Sequence, residues 1–327
     1  MLSKRFNILL LSVVILVCFG SWGFLVHRTV NQIAIYNLPE PMRSFMFNHK
    51  QYLVYNAPRP DIRRNTDKTE ATKHFIDLEK FGTNAANEMP MDWATAVKKY
   101  SEDSLKEYGW GPYNVIMQLD LLTKAFKSGN QDSILFYAAD IGHYIGDLHV
   151  PLHTTVNYDG QLTGQKGLHA LWESTIPELV LDQYQLHNNH QAQYLKNPAA
   201  ALWVDIRKAA NLVPAILAIE KELTINFTPE TKYRSQIRYG KEVKTYTKDF
   251  ADAYSKALAG TINQQLIASA NMITDFWYTA WVNAGKPNLP VFRGVVEGSL
   301  DQELKAFQKN KLIEEGLLIS KKQKSED

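Results

Sequence analysis

The sequence predicts an all-α protein built as a single multi-helix domain. Over most of the chain, apolar residues recur at the three- and four-residue spacing of amphipathic helices. Only one short stretch shows the alternation that is typical of strands. The chain has 327 residues, of which 45% are hydrophobic and 21% are charged, so it has enough apolar material for one large core.

Six segments carry the helical pattern, and most of them end at a residue that terminates helices. Pro39 follows the first, Gly129 lies just beyond the second, and Pro151 stops the third. Pro177 is expected to kink the fourth, and Gly285 ends the last. The predicted helices are Val26–Leu38, Tyr113–Phe126, Ser133–His149, Leu168–Tyr184, Ala199–Leu223 and Asp249–Ala284.

The remaining segments are short. Residues 233–246 alternate around Gly240, which predicts a small hairpin or an excursion on the surface. Residues 321–327 are charged and are expected to fray. Because no repeat or linker is evident, residues 22–320 are predicted to form one helical domain.

The N-terminus has the layout of a secretory signal peptide. Lys4 and Arg5 precede the 12-residue apolar run Ile8–Phe19, and Gly20 and Ser21 follow it. A membrane anchor is the alternative, but a spanning helix needs about 20 apolar residues. Residues 1–21 are therefore predicted to be removed. The mature protein is expected to be secreted or periplasmic, without a transmembrane helix and without an evident protein partner.

The charge and cysteine counts exclude several classes of protein. The 36 basic and 34 acidic residues exclude a nucleic-acid binder held by bulk positive charge, and they also exclude an acidic disordered chain. Cys18 is the only cysteine, so no internal disulfide is possible. It lies in the predicted signal peptide, and a mature chain without cysteine suits an oxidising compartment.

Metal-ligating side chains are concentrated in residues 140–153. His143 and Asp147 are four residues apart, so they share one face of a predicted helix and can chelate one ion. Pro151 stops this helix, which allows His153 to turn back toward the same centre. A structural histidine with a helix cap is the alternative interpretation of any one of these residues.

A second pair, His169 and Glu173, repeats the same spacing on the next predicted helix. By itself this pair is equally well explained by an exposed salt bridge. Two such pairs close together in the chain favour one shared site. Zinc is the expected metal because imidazole and carboxylate ligands suit it and no thiolate is available.

Together with residues upstream, this pattern resembles one superfamily, the zinc-dependent phospholipases C and the single-strand-specific zinc nucleases of fungi and plants. The resemblance rests on motifs from Trp22 to Glu173 and extends by helix pattern to about Gly285. In chain order, the residues that carry it are Trp22, His27, Asp61, His74, His143, Asp147, His153, His169 and Glu173.

The resemblance implies an all-α fold with a trinuclear zinc cleft. The three Zn²⁺ ligand sets that it implies are Asp61, His74, His143 and Asp147 for one ion; His153, His169 and Glu173 for a second; and Trp22, His27 and the bridging Asp147 for the third. Trp22 would bind through its free α-amino group and carbonyl, which requires removal of residues 1–21.

The resemblance also implies hydrolysis of a phosphodiester by a zinc-activated hydroxide. Asp61 would orient the nucleophile or take its proton, and Arg64 would stabilise charge on the phosphoryl oxygens. Asp77 and Asp140 are expected to accept hydrogen bonds from ligand histidines. His149 is expected to pack or to line the rim rather than bind metal.

For the substrate class, the sequence predicts a phospholipase C-like activity first and leaves a nuclease activity as the alternative. A phospholipase C-like activity is favoured by Glu173, where the nucleases usually have aspartate, by the short loop before His169 and by the absence of bulk positive charge. A single-strand-specific endonuclease or 3′-nucleotidase is favoured by the spacing of Trp22 to His27 and of Asp61 to Arg64. A non-catalytic zinc-stabilised helical protein is the third interpretation.

Overall fold

The computed structural model describes residues 23–238, 241–290 and 295–322. Within these ranges helices dominate, and the only sheet has two strands, so the predicted all-α class is confirmed. The predicted signal peptide, Trp22 and residues 323–327 of the charged tail lie outside the described residues. No helix in the described part of the chain has the length and apolar character that crossing a bilayer requires.

The helices and strands are labelled in chain order. The α-helices are α1 (Phe24–Tyr36), α2 (Met42–Asn48), α3 (Lys50–Tyr55), α4 (Arg59–Arg63), α5 (Ala85–Glu88), α6 (Trp93–Tyr100), α7 (Glu102–Tyr108), α8 (Gly111–Ser128), α9 (Gln131–Leu148), α10 (Leu168–Ala170), α11 (Ile176–Val180), α12 (Pro198–Thr224), α13 (Pro229–Lys232), α14 (Lys248–Ala257), α15 (Thr261–Asn283), α16 (Val295–Gln308) and α17 (Ile319–Lys322). The strands are β1 (Tyr233–Arg238) and β2 (Lys241–Tyr246). Short 3₁₀ turns span Ala71–Lys73, Leu78–Lys80, Pro151–Thr154 and Leu181–Gln183, and a π-helical turn spans Leu171–Thr175.

Four long helices, α1, α8, α9 and α15, pack against one another and form the centre of the core. Their facing sides are apolar at helical spacing, and Ile33, Ile145 and Ile273 are all fully buried. Trp277 of α15 is also fully buried, and its indole N–H donates to the carbonyl of Ala138 at 3.0 Å. This core fixes α9 next to α1, and the site described below depends on that placement.

The first three predicted helices correspond to α1, α8 and α9 with ends shifted by one or two residues. The long predicted helix over residues 249–284 is wrong in one respect, because it divides into α14 and α15. Ala259 and Gly260 have positive φ values of 49° and 81°, which break the helix between them. Sequence periodicity missed this break because the apolar spacing continues across it.

The fourth predicted helix is interrupted just where it carries the site. It contains α10, then the π-helical turn over Leu171–Thr175, then α11. Pro177 lies in the first turn of α11, where a missing N–H does no harm. The π turn contains Glu173, and π turns inside helices often mark functional sites.

β1 and β2 pair in an antiparallel register with Tyr233 opposite Tyr246, as the hairpin alternative predicts. Between α1 and α8, the chain folds into short helices and 3₁₀ turns that periodicity did not predict. Asp61 lies on the five-residue helix α4, and His74 follows the 3₁₀ turn Ala71–Lys73.

Candidate metal centre

Two packed helices, α1 and α9, place side by side three side chains of the kinds that can bind a metal ion. His143 and Asp147 lie one turn apart on α9, and their Nε2 and Oδ2 atoms are 3.2 Å apart. His27 projects from α1, and its ring stacks on that of His143 with centroids 4.0 Å apart. All three side chains are almost completely buried.

Two glycines of α9 allow α1 to approach this closely. A Cβ atom on Gly142 would lie 1.9 Å from Oδ1 of Asn31, and one on Gly146 would lie 3.0 Å from Nδ1 of His27. Larger residues would therefore push the helices apart. Sequence analysis missed this role, although the four-residue spacing of the glycines on the face next to His143 and Asp147 is a usable signal.

Asp61, His74, His143 and Asp147, here called the first cluster, converge on one point. Nδ1 of His74 lies 2.8 Å from Oδ2 of Asp147 and 3.0 Å from Nε2 of His143. Oδ1 of Asp61 lies 3.6 Å from Nδ1 of His74 and 3.8 Å from Nε2 of His143. Four residues from three separate segments thus present one nitrogen or oxygen atom each.

His153, His169 and Glu173 form the second cluster. The two Nε2 atoms of the histidines are 3.0 Å apart, and Oε2 of Glu173 lies 2.5 Å from His169 and 3.4 Å from His153. His153 lies in the 3₁₀ turn after α9, as the position of Pro151 predicts. Its Nδ1–H donates to the carbonyl of His74 at 2.8 Å, which directs Nε2 into the cluster.

His27, Asp147 and Glu173 form a third cluster between the other two. Nε2 of His27 lies 3.3 Å from Oδ1 of Asp147 and 3.8 Å from Oε1 of Glu173. Each carboxylate therefore directs one oxygen to this cluster and the other oxygen to a neighbouring one. Sequence analysis gave Asp147 such a bridging role and did not foresee one for Glu173.

The buried carboxylates favour the charged forms of His27 and His153, whereas burial lowers the pKa of His143. Burial lowers the pKa of His27, but hydrogen bonds to Asp147 and Glu173 outweigh it and raise the pKa to about 10. Burial likewise lowers the pKa of His153, but the charge of Asp147 and a hydrogen bond to Glu173 raise it to about 9. The cavity is thus strongly negative when its histidines are neutral, which is the state that a metal cation requires.

The spacing of these atoms fits zinc. Tetrahedral zinc with bonds of about 2.0 Å separates its ligand atoms by about 3.3 Å. The separations given for the first cluster run from 2.8 to 3.8 Å, and three of its four residues are buried. Nε2 of His27 is buried between oxygens of Asp147 at 3.3 Å and Glu173 at 3.8 Å, where a bound cation would take the place of the ring proton. Residues and spacing both fit divalent zinc.

A cleft of about 780 Å³ opens onto the clusters and is lined in part by Asp61, Asp147, His153 and Glu173. Arg64 stands at its edge with a side chain that is 48% exposed, and its Nη1 lies 3.3 Å from Oδ1 of Asp61. An exposed, positive guanidinium at the edge of this cleft is suited to bind an anion.

A smaller pocket of about 240 Å³ adjoins the cleft beside His74, His153 and His169. Phe75, Tyr158 and Asp77 contribute two aromatic rings and a carboxylate to its wall. Burial and the charge of Glu79 raise the pKa of Asp77 to about 6. The Asp77 carboxylate has no hydrogen-bond partner among the described residues, so its oxygens are available to a ligand.

The family of the chain follows from comparison with known proteins. The family model described as S1/P1 Nuclease matches residues 22–272, which is well over half of the chain. This chain belongs to the S1/P1 nuclease family. The match includes every residue assigned to the three clusters and also Trp22, which lies outside the described residues.

Comparisons with curated proteins and with solved structures give weaker similarity or none for this S1/P1 nuclease family chain. No curated protein matches it. Among solved structures it is similar to an alpha toxin from Clostridium absonum, with 14% identity, a TM-score of 0.43 and coverage of 77% of this chain. The match spans 63% of the toxin chain, less than two thirds of its length.

Around the clusters of this S1/P1 family member, two expected hydrogen-bond acceptors have other surroundings. Asp140 was expected to bind a ligand histidine, but its carboxylate binds Arg59 at 2.6 Å and Arg63 at 3.0 Å. Asp77 lines the side pocket instead. Both expectations were wrong because sequence spacing cannot show which neighbour a side chain meets across the fold.

His149 lies in the core beside α9, as expected. It is almost fully buried, its Nδ1–H donates to the carbonyl of Ile145 at 2.8 Å, and its Nε2 lies 3.4 Å from Asp205. At the start of the described chain, Gly23 lines the cleft and its N–H donates to Oγ of Ser174 at 2.8 Å. Sequence analysis missed Ser174, which carries no motif signal.

Proposed function

We propose that this chain is a zinc-dependent phosphodiesterase that cleaves single-stranded nucleic acid. Membership of the S1/P1 nuclease family supports the phosphodiesterase activity. The pocket lined by Phe75, Asp77 and Tyr158 is the observation that favours nucleic acid over phospholipid as the substrate. Sequence analysis favoured a phospholipase C-like activity. This pocket and the family membership now favour the nuclease activity over the phospholipase C-like one.

Three Zn²⁺ ions are proposed, one for each cluster. The first cluster supplies Asp61, His74, His143 and Asp147; the second supplies His153, His169 and Glu173; and the third supplies His27, Asp147 and Glu173, which Trp22 would complete from outside the described residues. When bound, zinc neutralises phosphoryl charge and makes water acidic enough to supply a nucleophile near neutral pH. The second cluster has only three protein ligands, which is typical of catalytic rather than structural zinc.

Asp61 and Arg64 are the residues proposed to take part in the chemistry. The Asp61 side chain is 27% exposed at the edge of the cleft, where its free oxygen can orient the attacking water and accept its proton. Arg64 lines both the cleft and the side pocket, so its guanidinium can bind the phosphate of a substrate that occupies both. It would stabilise the negative charge that grows on the phosphoryl oxygens.

The side pocket is suited to an unstacked base. Aromatic side chains bind bases by stacking, and the carboxylate of Asp77 can accept a hydrogen bond from a base N–H group. A base can enter such a pocket only after leaving its stack, so single strands are preferred over duplex. The pocket lies next to the metal-ligating His74 and His153, so a base held there brings its own phosphate to the cleft.

Phospholipid is the second candidate substrate, and exposed apolar residues near the cleft favour it. Ile62 lines the cleft and is 53% exposed, and Leu162 in the loop before His169 is 68% exposed. Such side chains can contact a lipid surface. Asp77 and Tyr158 would then face a cationic head group instead of a base.

The deciding experiment compares one preparation on single-stranded DNA, single-stranded RNA and phosphatidylcholine vesicles. We expect cleavage of the nucleic acids, and we expect Phe75→Ala to raise KM by about tenfold, the loss of roughly one stacking contact. Ile225→Ser, at an 84% exposed position that lines neither the cleft nor the side pocket, serves as a surface control that should leave KM unchanged. Faster turnover of phosphatidylcholine would replace the proposal with the phospholipase alternative, and zinc binding without turnover would indicate a structural zinc protein.

We also propose that residues 1–21 are removed on secretion and that Trp22 then begins a single domain over residues 22–320. The proposal rests on the sequence pattern at the N-terminus and on Gly23, which lines the cleft. Mass spectrometry of protein secreted by the natural host is expected to give a chain that begins at Trp22. A chain that retains Ser21 would leave no free amine for the third cluster.

A further inference from the structure

Behind the first cluster, Glu70 is a charged residue with no exposed surface. Its Oε1 accepts from Nη2 of Arg63 at 3.0 Å and from the hydroxyl of Tyr144, and its Oε2 accepts from Nζ of Lys73 at 2.7 Å. Burial of a carboxylate is costly unless both of its oxygens are paired. Both oxygens of Glu70 are paired, so these three partners hold the side chain in one position.

His74 lies between this carboxylate and the first cluster. Its Nδ1 lies 2.8 Å from Oδ2 of Asp147, on the side of the metal-ligating atoms. Its Nε2 is buried and has no hydrogen-bond partner among the residues that the structure describes, and Oε1 of Glu70 lies within ion-pair distance of it at 3.7 Å. If Nδ1 binds a cation, the ring proton must be on Nε2, and Glu70 is positioned to accept it.

The same carboxylate also holds the helix that carries Asp61. Arg63 binds Glu70 from α4, and the same Nη2 lies 3.0 Å from Oδ2 of Asp140 on α9. Arg59, at the start of α4, binds the other oxygen of Asp140 at 2.6 Å. A helix of five residues is not stable in isolation, so these ion pairs fix the position of Asp61.

We propose that Glu70 is a positioning residue for zinc binding by the first cluster, acting on His74 through Nε2 and on Asp61 through Arg63. One carboxylate thereby orients two metal-ligating side chains that come from different segments. The inference rests on the proposed zinc binding and is independent of the substrate.

The test is a zinc titration of metal-free protein against a chromophoric chelator. We expect Glu70→Gln to weaken binding of one zinc ion by about 10- to 100-fold, the usual effect of removing a carboxylate behind a ligand histidine. Binding by the second cluster should stay unchanged. Glu303→Gln is the matched control, because Glu303 is also buried and also binds a tyrosine hydroxyl, that of Tyr36, and a lysine, Lys50.

Equal zinc affinity in Glu70→Gln and the wild type would overturn the proposal, and so would an equal loss in Glu303→Gln, which would indicate a general effect of instability. If Glu70→Gln does not fold, Arg63→Gln tests the same contact from a side chain that is 25% exposed. It too should weaken one zinc ion, and wild-type affinity there would contradict the proposal. A wild type that binds no zinc would overturn this inference and the proposed function together.

Discussion

At the scale of single residues, Asp147 is shared by two of the three clusters. Its Oδ2 lies in the first cluster, and its Oδ1 lies 3.3 Å from Nε2 of His27 in the third cluster. An asparagine offers only one carbonyl oxygen and no charge. Loss of this carboxylate is therefore expected to disturb two ions at once.

We predict that Asp147→Asn loses more than one zinc per chain and at least about 100-fold of phosphodiesterase activity. Elemental analysis of dialysed protein measures the first effect, and initial rates measure the second. Asp205→Asn, which removes a carboxylate near His149 outside the clusters, should retain the full zinc content. Three zinc ions in Asp147→Asn would rule out the bridging role.

Asp77 illustrates a conflict between stability and binding at one residue. Its folded pKa of about 6 lies above the ordinary value of 3.8, so the folded state binds this proton more tightly than the unfolded chain does. The resulting stabilisation is present below about pH 4 and is lost as the pH rises through 6. At neutral pH the ionised carboxylate destabilises the fold.

We therefore predict that Asp77→Asn is more stable than the wild type at pH 7 by about 1 to 3 kcal/mol and no more stable at pH 3.5. Urea unfolding of chelator-treated proteins at both pH values measures this difference. The same variant should bind single-stranded substrate more weakly, because an amide is a poorer acceptor. A variant that is less stable at pH 7 would show that Asp77 has a structural role instead.

At the scale of elements, the contact between α1 and α9 determines where His27 lies. Helical packing at this distance requires Gly146, since a Cβ atom there would lie 3.0 Å from the His27 ring. The ring is also held by stacking on His143, so it cannot move aside without leaving the site.

We predict that Gly146→Ala destabilises the protein by about 1 to 3 kcal/mol, as expected for overpacking, and lowers zinc occupancy of the third cluster. Gly298→Ala is the control, because Gly298 lies in α16 and no atom of the described part of the chain is within 4 Å of its Cβ position. That variant should gain about 0.5 to 1 kcal/mol from helix propensity. Unchanged zinc content in Gly146→Ala would show that α1 tolerates the displacement.

At the scale of the whole molecule, zinc and protons compete for the same cavity. Without metal, His27 and His153 have pKa values of about 10 and about 9, so both are protonated at pH 7. The stabilisation that these protons provide to the metal-free fold is present below about pH 6.5 and is lost as the pH rises through 9 to 10. Zinc has to displace these protons in order to bind.

We predict that zinc binding releases protons and that its affinity rises between pH 7 and pH 9. Calorimetry in two buffers of different ionisation enthalpy counts the protons released. Removing zinc with a chelator should lower Tm while helical circular dichroism persists at 20 °C, because the apolar core does not include the clusters. Zinc affinity that is constant over this pH range would contradict the protonated state of the metal-free site.

Much of the architecture was determined by local sequence. Apolar spacing located α1, α8 and α9, and the four-residue spacings of His143 with Asp147 and of His169 with Glu173 put each pair on one helical face. Pro151 ended α9 before His153, as expected. These features depend on helical geometry over a few residues, which the sequence specifies directly.

Other features were decided only by the tertiary structure. The position of α4, the partners of Asp140 and the meeting of His74 with His143 depend on contacts between residues up to 81 positions apart. Short irregular segments have no periodicity to predict, and a carboxylate has no partner until the fold supplies one. The sequence by itself determined which side chains share a helix face, and packing of the helices decided which faces meet, because only packing brings distant segments within the 3 to 4 Å at which metal ligands act.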